Sequence, residues 1–121
     1  MKNQQGMTII ELIVVLAILA ILASVSLPQY LAFQRKAYEA EAKQSLGELR
    51  KLAWVYYIEN GVFPTLDHLE AWGYWKDPDN AVYDYIGAPP RYIAQPKPGS
   101  PVDGMKSWVL VVYADGTAIL Q

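Results

Sequence analysis

Hydrophobic and polar residues divide this chain into stretches with different periods. From Leu12 to Leu27 every residue is Leu, Ile, Val, Ala or Ser, with no charge. Met7 to Ile10 before it, and Tyr30, Leu31 and Phe33 after it, extend the apolar length. At about 1.5 Å per residue, such a run of roughly 25 residues crosses a hydrocarbon core near 30 Å thick. Glu11 interrupts it near the start and Pro28 follows its far end. From Gln34 to about Asn60 the pattern becomes amphipathic: Ala42, Leu46, Leu49, Ala53 and Tyr56 or Tyr57 recur at helical intervals. Glu39 and Lys43 form a correctly oriented i,i+4 pair on the wetter side. Asn60-Gly61 supplies a stop, since both residues tolerate the left-handed conformation that ends helices. Joined, these stretches predict one helix from Met7 to Asn60, roughly 80 Å long. Gly47 weakens its middle and is read as permitting close packing.

Beyond the helix, Pro64 forces Phe63 toward an extended conformation. Thr65 to Ala71 reads as a short helical turn with Thr65 as N-cap and His68 exposed. Residues 73–107 are rich in Gly, Pro, Asp and Tyr. Asp77-Pro78-Asp79-Asn80 predicts a turn, and Pro96 to Pro101 a solvent-facing loop. Val82 to Ile86 and Arg91 to Ala94 are candidate strands, with Pro89-Pro90 expected to prevent a simple tight hairpin between them. Ser107 to Ala114 and Thr117 to Leu120 are the clearest strands, and Asp115-Gly116 fits a two-residue hairpin loop of the primed class. Two short strands are marginal alone, so they are expected to pack on the amphipathic helix. The fold class is α+β: a long N-terminal α-helix, hydrophobic and then amphipathic, packed on a small antiparallel β-sheet.

Composition narrows the function. The chain has 121 residues, ten basic and twelve acidic, for a net charge of -2. No basic surface for nucleic-acid phosphates is indicated, so direct DNA binding by this chain alone is unsupported. Cysteine is absent and His68 is the only histidine. Cysteine's absence and a lone His68 leave no serine–histidine–acid or cysteine–histidine set, spacing shows no two carboxylates converging on a substrate, and the chain reads as no enzyme. Asp77, Asp79, Asp84 and Asp103 do not follow the spacing of a regular calcium loop, so no metal or cofactor is expected. Four Trp and nine Tyr raise an electron-transfer reading. Aromatics at such positions more commonly fill cores and subunit contacts.

The chemistry of the front end centres on Glu11. An unpaired carboxylate in hydrocarbon is costly, so it needs a partner. A secretory signal with cleavage near Ala23-Ser24-Val25-Ser26 is the competing interpretation, but Glu11 breaks its apolar region early. Lys2 before the run weakly favours a cytoplasmic N-terminus. If the chain is cut after Gly6, a new ammonium appears at Met7, and Glu11 of one copy can neutralise the N-terminus of the next. Pro28 kinks a helix because it lacks the donor N–H, and Ser24 and Ser26 are expected to satisfy the carbonyls it releases.

In order, Lys2, Gly6, Met7-Thr8-Ile9-Ile10-Glu11-Leu12, the apolar run, Pro28 and Tyr30 resemble the class III leader and N-terminal helix of type IV pilins and type II secretion pseudopilins. The junction Tyr56-Tyr57 followed by Asn60-Gly61-Val62-Phe63-Pro64 is similar to that of many members. The resemblance implies processing at Gly6/Met7 by a prepilin peptidase, methylation of the new Met7 amine, and filament assembly through Met7, Glu11 and Pro28. It implies residues 1–6 as a cleavable leader, 7–33 as a transmembrane and filament-core helix, and 34–121 as a periplasmic or extracellular globular domain that includes the second half of the helix. Met7 stands where Phe is more usual. The Asp-x-Trp-Gly-x-Pro-Tyr segment of major secretion pseudopilins is missing, with only Trp72-Gly73-Tyr74-Trp75 echoing it. A cysteine-free type IV pilin is therefore the preferred reading, serving adhesion, twitching motility or DNA uptake, with a periplasmic secretion pseudopilus as the alternative. The implied partners are further copies and other pilins, the peptidase, an inner-membrane assembly platform, and the lipid bilayer that holds the single-pass precursor before the extracellular filament forms.

Overall fold

A computed structural model describes residues 6–79 and 81–121. Lys2, with most of the expected leader, and Asn80 of the expected Asp77–Asn80 turn lie outside the described residues. The elements are α1 (Ile9–Asn60), α2 (Leu66–Ala71), β1 (Tyr83–Ala88), β2 (Arg91–Pro96), β3 (Trp108–Val112) and β4 (Ala118–Leu120). Contacts divide the chain into two units, residues 1–34 and 35–121, and α1 contributes to both.

In the first unit every described residue from Gly6 to Phe33 is exposed. α1 is the helix among the described residues long and apolar enough to cross a membrane. Pro28 lies inside it. Lacking an N–H, Pro28 removes the ordinary donor for the carbonyl of Ser24. The serine hydroxyls do not replace it: Ser24 Oγ donates to Ile21 O at 2.7 Å and Ser26 Oγ to Ala23 O at 3.4 Å. The expectation that they satisfy the carbonyl released by Pro28 is thus corrected. Each hydroxyl reaches back three residues, to a carbonyl in the preceding turn.

The second unit holds the core. Ala42, Leu46, Leu49 and Ala53 are fully buried and form the expected stripe of α1. It packs in one cluster with Tyr83 and Tyr85 of β1, Tyr92 and Ala94 of β2, and Trp108, Leu110 and Val112 of β3. Alternate residues of these strands face inward, as the two-residue period requires. The strands form one antiparallel sheet in sequence order. Lys43 and Lys106 lie 4.0 and 3.7 Å from the centroid of the Trp108 ring, and Lys43 also pairs with Glu39 at 3.0 Å. Gly47 has open space where a Cβ would stand, so close packing is not its role.

α1 ends as expected. Gly61 adopts φ +74 and its N–H donates to Tyr57 O. Phe63 then stacks on Tyr57 at 4.4 Å, and Tyr57 on Trp54 at 5.6 Å. The α1–α2 link is tied to the sheet by the Tyr92 hydroxyl, which donates to Pro64 O at 2.7 Å in the interior. Thr65 caps α2, its Oγ1 accepting from the His68 N–H. His68 is exposed.

Two hairpins differ from expectation. β1 and β2 form a tight one, with Ala88 opposite Arg91 and only Pro89-Pro90 between them, joined by a cis peptide. Proline is excluded where a ladder needs its N–H; at these loop positions no donor is needed. Beside it, a Cβ on Gly87 would collide with Arg91 O, which explains glycine there. The β3–β4 loop has three residues rather than two. Tyr113 N donates to Thr117 O, Gly116 N donates to Tyr113 O, and Gly116 has φ +86. This is a turn closed by a left-handed glycine. Asp115 accepts from both the N–H and the hydroxyl of Thr117, which hold its carboxyl below the usual range. Tyr113, expected within the strand, falls in the exposed link after it.

Candidate functional site

Gly6, Met7 and Thr8 precede α1 as exposed, non-helical chain, so the helix starts two residues after the expected Met7. The start has a local cause. Thr8 Oγ1 accepts from Glu11 N–H at 3.2 Å, and Glu11 Oε2 accepts from Thr8 N–H at 2.9 Å. This reciprocal pair is a capping box, which satisfies two N–H groups left over at a helix N-terminus. The Leu12 N–H donates to Thr8 O, opening the helical ladder.

Glu11 thus has an intramolecular partner that the sequence reading omitted. The signal was present: Thr8-x-x-Glu11 before an apolar run is the spacing of a capping box. Its carboxylate also favours the positive end of the helix dipole. One oxygen is committed to Thr8, and the group stands one turn from Met7. The arrangement brings Met7, Thr8 and Glu11 together at one helix end. Pro28 belongs to a different part of α1, and a Cβ added to Gly6 would meet only open space.

Nothing else among the described residues has the form of a reaction centre. No group of three or more His, Asp or Glu side chains there is placed to hold a metal. Asp77 accepts from Trp75 Nε1, Asp79 pairs with Lys76, Asp84 with Lys97, and Asp103 accepts from Gly99 N–H. Each acid weighed for calcium thus has a polar partner on the chain itself. The raised tyrosines are structural: burial pushes the Tyr92 hydroxyl up to about 12, and burial likewise raises Tyr83 and Tyr85.

Residues 1–27 match the family described as the prokaryotic N-terminal methylation motif. Over 89 residues the chain is 33% identical to the type IV wide pilus major component PilA4 of Thermus thermophilus, covering 73% of this chain and 68% of that protein. Over 72 residues it is 39% identical to the type II secretion system core protein G of Vibrio cholerae, covering 59% of this chain and 49% of the relative. Over 61 residues it is 38% identical to the type IV major pilin protein PilE of Neisseria gonorrhoeae, covering 50% of this chain and 36% of that protein. Against these last two the chain spans half of the relative's length or less. No solved structure gives a significant match.

Proposed function

The chain belongs to the family of type IV pilins and type II secretion pseudopilins, non-catalytic structural subunits, and we propose that it is cut between Gly6 and Met7 and polymerises through α1 into a type IV pilus-like filament. The observation that carries this reading is the exposed apolar half of α1 with Glu11 at its start. The apolar surface needs lipid before assembly and other copies after it. Cleavage makes the Met7 ammonium, which a prepilin peptidase then methylates. The Glu11 oxygen left free by Thr8 receives that ammonium from a neighbouring copy. Pro28, whose missing N–H frees the Ser24 carbonyl, is where α1 bends or unwinds as copies pack.

On this reading residues 1–6 are a leader, residues 7–33 the membrane and filament-core helix, and 34–121 the domain displayed outside. The precursor is held in the inner membrane, where the peptidase and an assembly platform meet it. Adhesion, twitching motility or DNA uptake is the role of the finished filament. The likeness to a secretion system core protein favours a second reading, a short periplasmic pseudopilus. The missing Asp-x-Trp-Gly-x-Pro-Tyr segment weighs against it.

Terminal mass analysis of polymer sheared from cells tests the proposal. The expected subunit begins at N-methylated Met7. Polymer that retains Met1 overturns the processing, and polymer confined to the periplasm moves the assignment to the pseudopilus.

A further inference from the structure

A groove in the second unit is lined by side chains that the fold itself does not use. Its volume is about 550 Å³, inside the roughly 300–1,000 Å³ range of small-molecule sites. Gln44, Gly47, Glu48 and Lys51, spaced to share one face of α1, contribute to it. Arg50, Trp54 and Gly116 of the β3–β4 loop complete the lining.

Trp54 is half-buried but stands outside the core cluster. Tyr57 stacks on it at 5.6 Å with the rings 21° apart, and a Cβ on Gly116 would stand 3.0 Å from the indole. The ring is therefore fixed in place at the groove without serving the interior. The polar groups are equally uncommitted. The exposed side chains of Gln44, Glu48 and Lys51 have no hydrogen bond or ion pair among the described residues. Arg50 makes one long contact, Nη2 to Gly116 O at 3.4 Å, which leaves most of its N–H donors free. A Cβ on Gly47 would meet only open space, so α1 presents bare backbone to the groove at that point.

We propose that this groove binds an acidic saccharide, a pyranose unit bearing one carboxylate. Lys51 and Arg50 hold the carboxylate, since both are donors without a carboxylate partner on the chain. Gln44 and Glu48 meet the ring hydroxyls, which donate and accept alike. Trp54 lies against the apolar C–H face of the sugar. Charge selects the class. Two cations beside one acid suit a single negative charge, while Glu48 repels more highly charged ligands such as polyphosphates. A wholly apolar ligand would cover these charges without pairing them, which is costly. Gly47 keeps the space open. The groove lies entirely within the second unit, so the inference stands apart from the filament reading.

The test is a titration of the isotopically labelled full chain in micelles with trigalacturonate, beside maltotriose and inorganic phosphate. Saturable shifts of the Gly47, Lys51 and Gly116 amides and of the Trp54 indole are expected with trigalacturonate alone. Lys51→Gln and Trp54→Ala should each weaken binding at least about tenfold while amide signals away from the groove stay in place. Gly47→Leu should do the same by filling the groove. Should Trp54→Ala fail to fold, Lys51→Gln and Gly47→Leu decide, since neither position is packed. No shift at the groove overturns the proposal, as does binding that survives both of those changes. An equal response to maltotriose overturns the role of the carboxylate, and an equal response to phosphate reduces the groove to a plain anion site; either result sinks the assignment.

Discussion

A carboxylate at the head of an apolar helix must be satisfied in every state the chain visits. The capping box does this locally for Glu11, and it separates the carboxylate's two tasks. Glutamine can also serve at the third helical position of a capping box. Glu11→Gln is therefore expected to keep amide protection at residues 8–12 while losing the charge. Breaking a buried ion pair by removing one partner costs roughly 3–5 kcal/mol, so polymer yield should fall below detection. Thr8→Ala does the reverse: it loses about 1 kcal/mol of capping, seen as faster exchange at the helix start, while the charge stays. Hydrogen exchange in micelles beside sheared-filament yield reads both, and normal assembly of Glu11→Gln removes the charge-pairing role. The acid was legible in the sequence because its cost is visible there. Its partner Thr8 is less legible, because a threonine three residues before an acid is also compatible with an ordinary apolar helix and only the geometry shows the two hydrogen bonds.

Tyr92 illustrates a residue whose role only the fold reveals. Its hydroxyl reaches Pro64 O from the centre of the sheet. Tyr92→Phe leaves that carbonyl without its donor, an expected loss of about 1–3 kcal/mol in denaturant titrations. The raised acid constant also has a sign. Folded Tyr92 ionises only near about 12, whereas an unfolded tyrosine does so near about 10. The stability this contributes is complete below pH 10 and is lost as pH rises through 12. Thermal melts from pH 8 to 12 should fall less steeply for Tyr92→Phe. Some slope remains from Tyr83 and Tyr85, which are raised in the same direction.

At the level of elements, what was legible followed from periodicity. Ala42, Leu46, Leu49 and Ala53 announce a buried stripe, and Asn60-Gly61 its end. The hairpins were less legible because the same dipeptides serve more than one loop. Asp115-Gly116 suits a two-residue loop or the end of a three-residue one, and a single residue decides which side chains face the core. In the observed register Leu120 opposes Leu110 and Ala118 opposes Val112. The shorter loop would instead place Ile119 on that face. Gly47 is the converse case, a helix-interior glycine with no contact to justify it. Gly47→Ala should raise stability by about 0.5–1 kcal/mol, since alanine loses less backbone entropy on folding. A lower midpoint in denaturant, at unchanged m-value, would show that the glycine serves a packing role after all.

Across the whole molecule, full burial of apolar side chains is confined to the second unit. Every buried apolar residue among those described lies between Ala42 and Val112, while the apolar residues from Met7 to Phe33 are all exposed. The core thus draws no side chain from the first unit, whose apolar residues remain exposed. A piece from Arg35 to Gln121 should therefore fold alone. At roughly 90 residues it is small but within the range that sustains one core. Its expected behaviour is a soluble monomer in light scattering, a sharp near-ultraviolet dichroism spectrum from its tryptophans, and one cooperative thermal transition. The first turn after Arg35 should fray, because Tyr38 is the earliest residue packed against the core. A collapsed species with no near-ultraviolet signal would mean that the core depends on the apolar segment. If the monomer is well folded, self-association in the full chain belongs to residues before Arg35 together with the surfaces they meet on other copies. Restoring residues 7–34 in detergent and then withdrawing the detergent should convert the same folded domain from monomer to polymer without changing its near-ultraviolet spectrum.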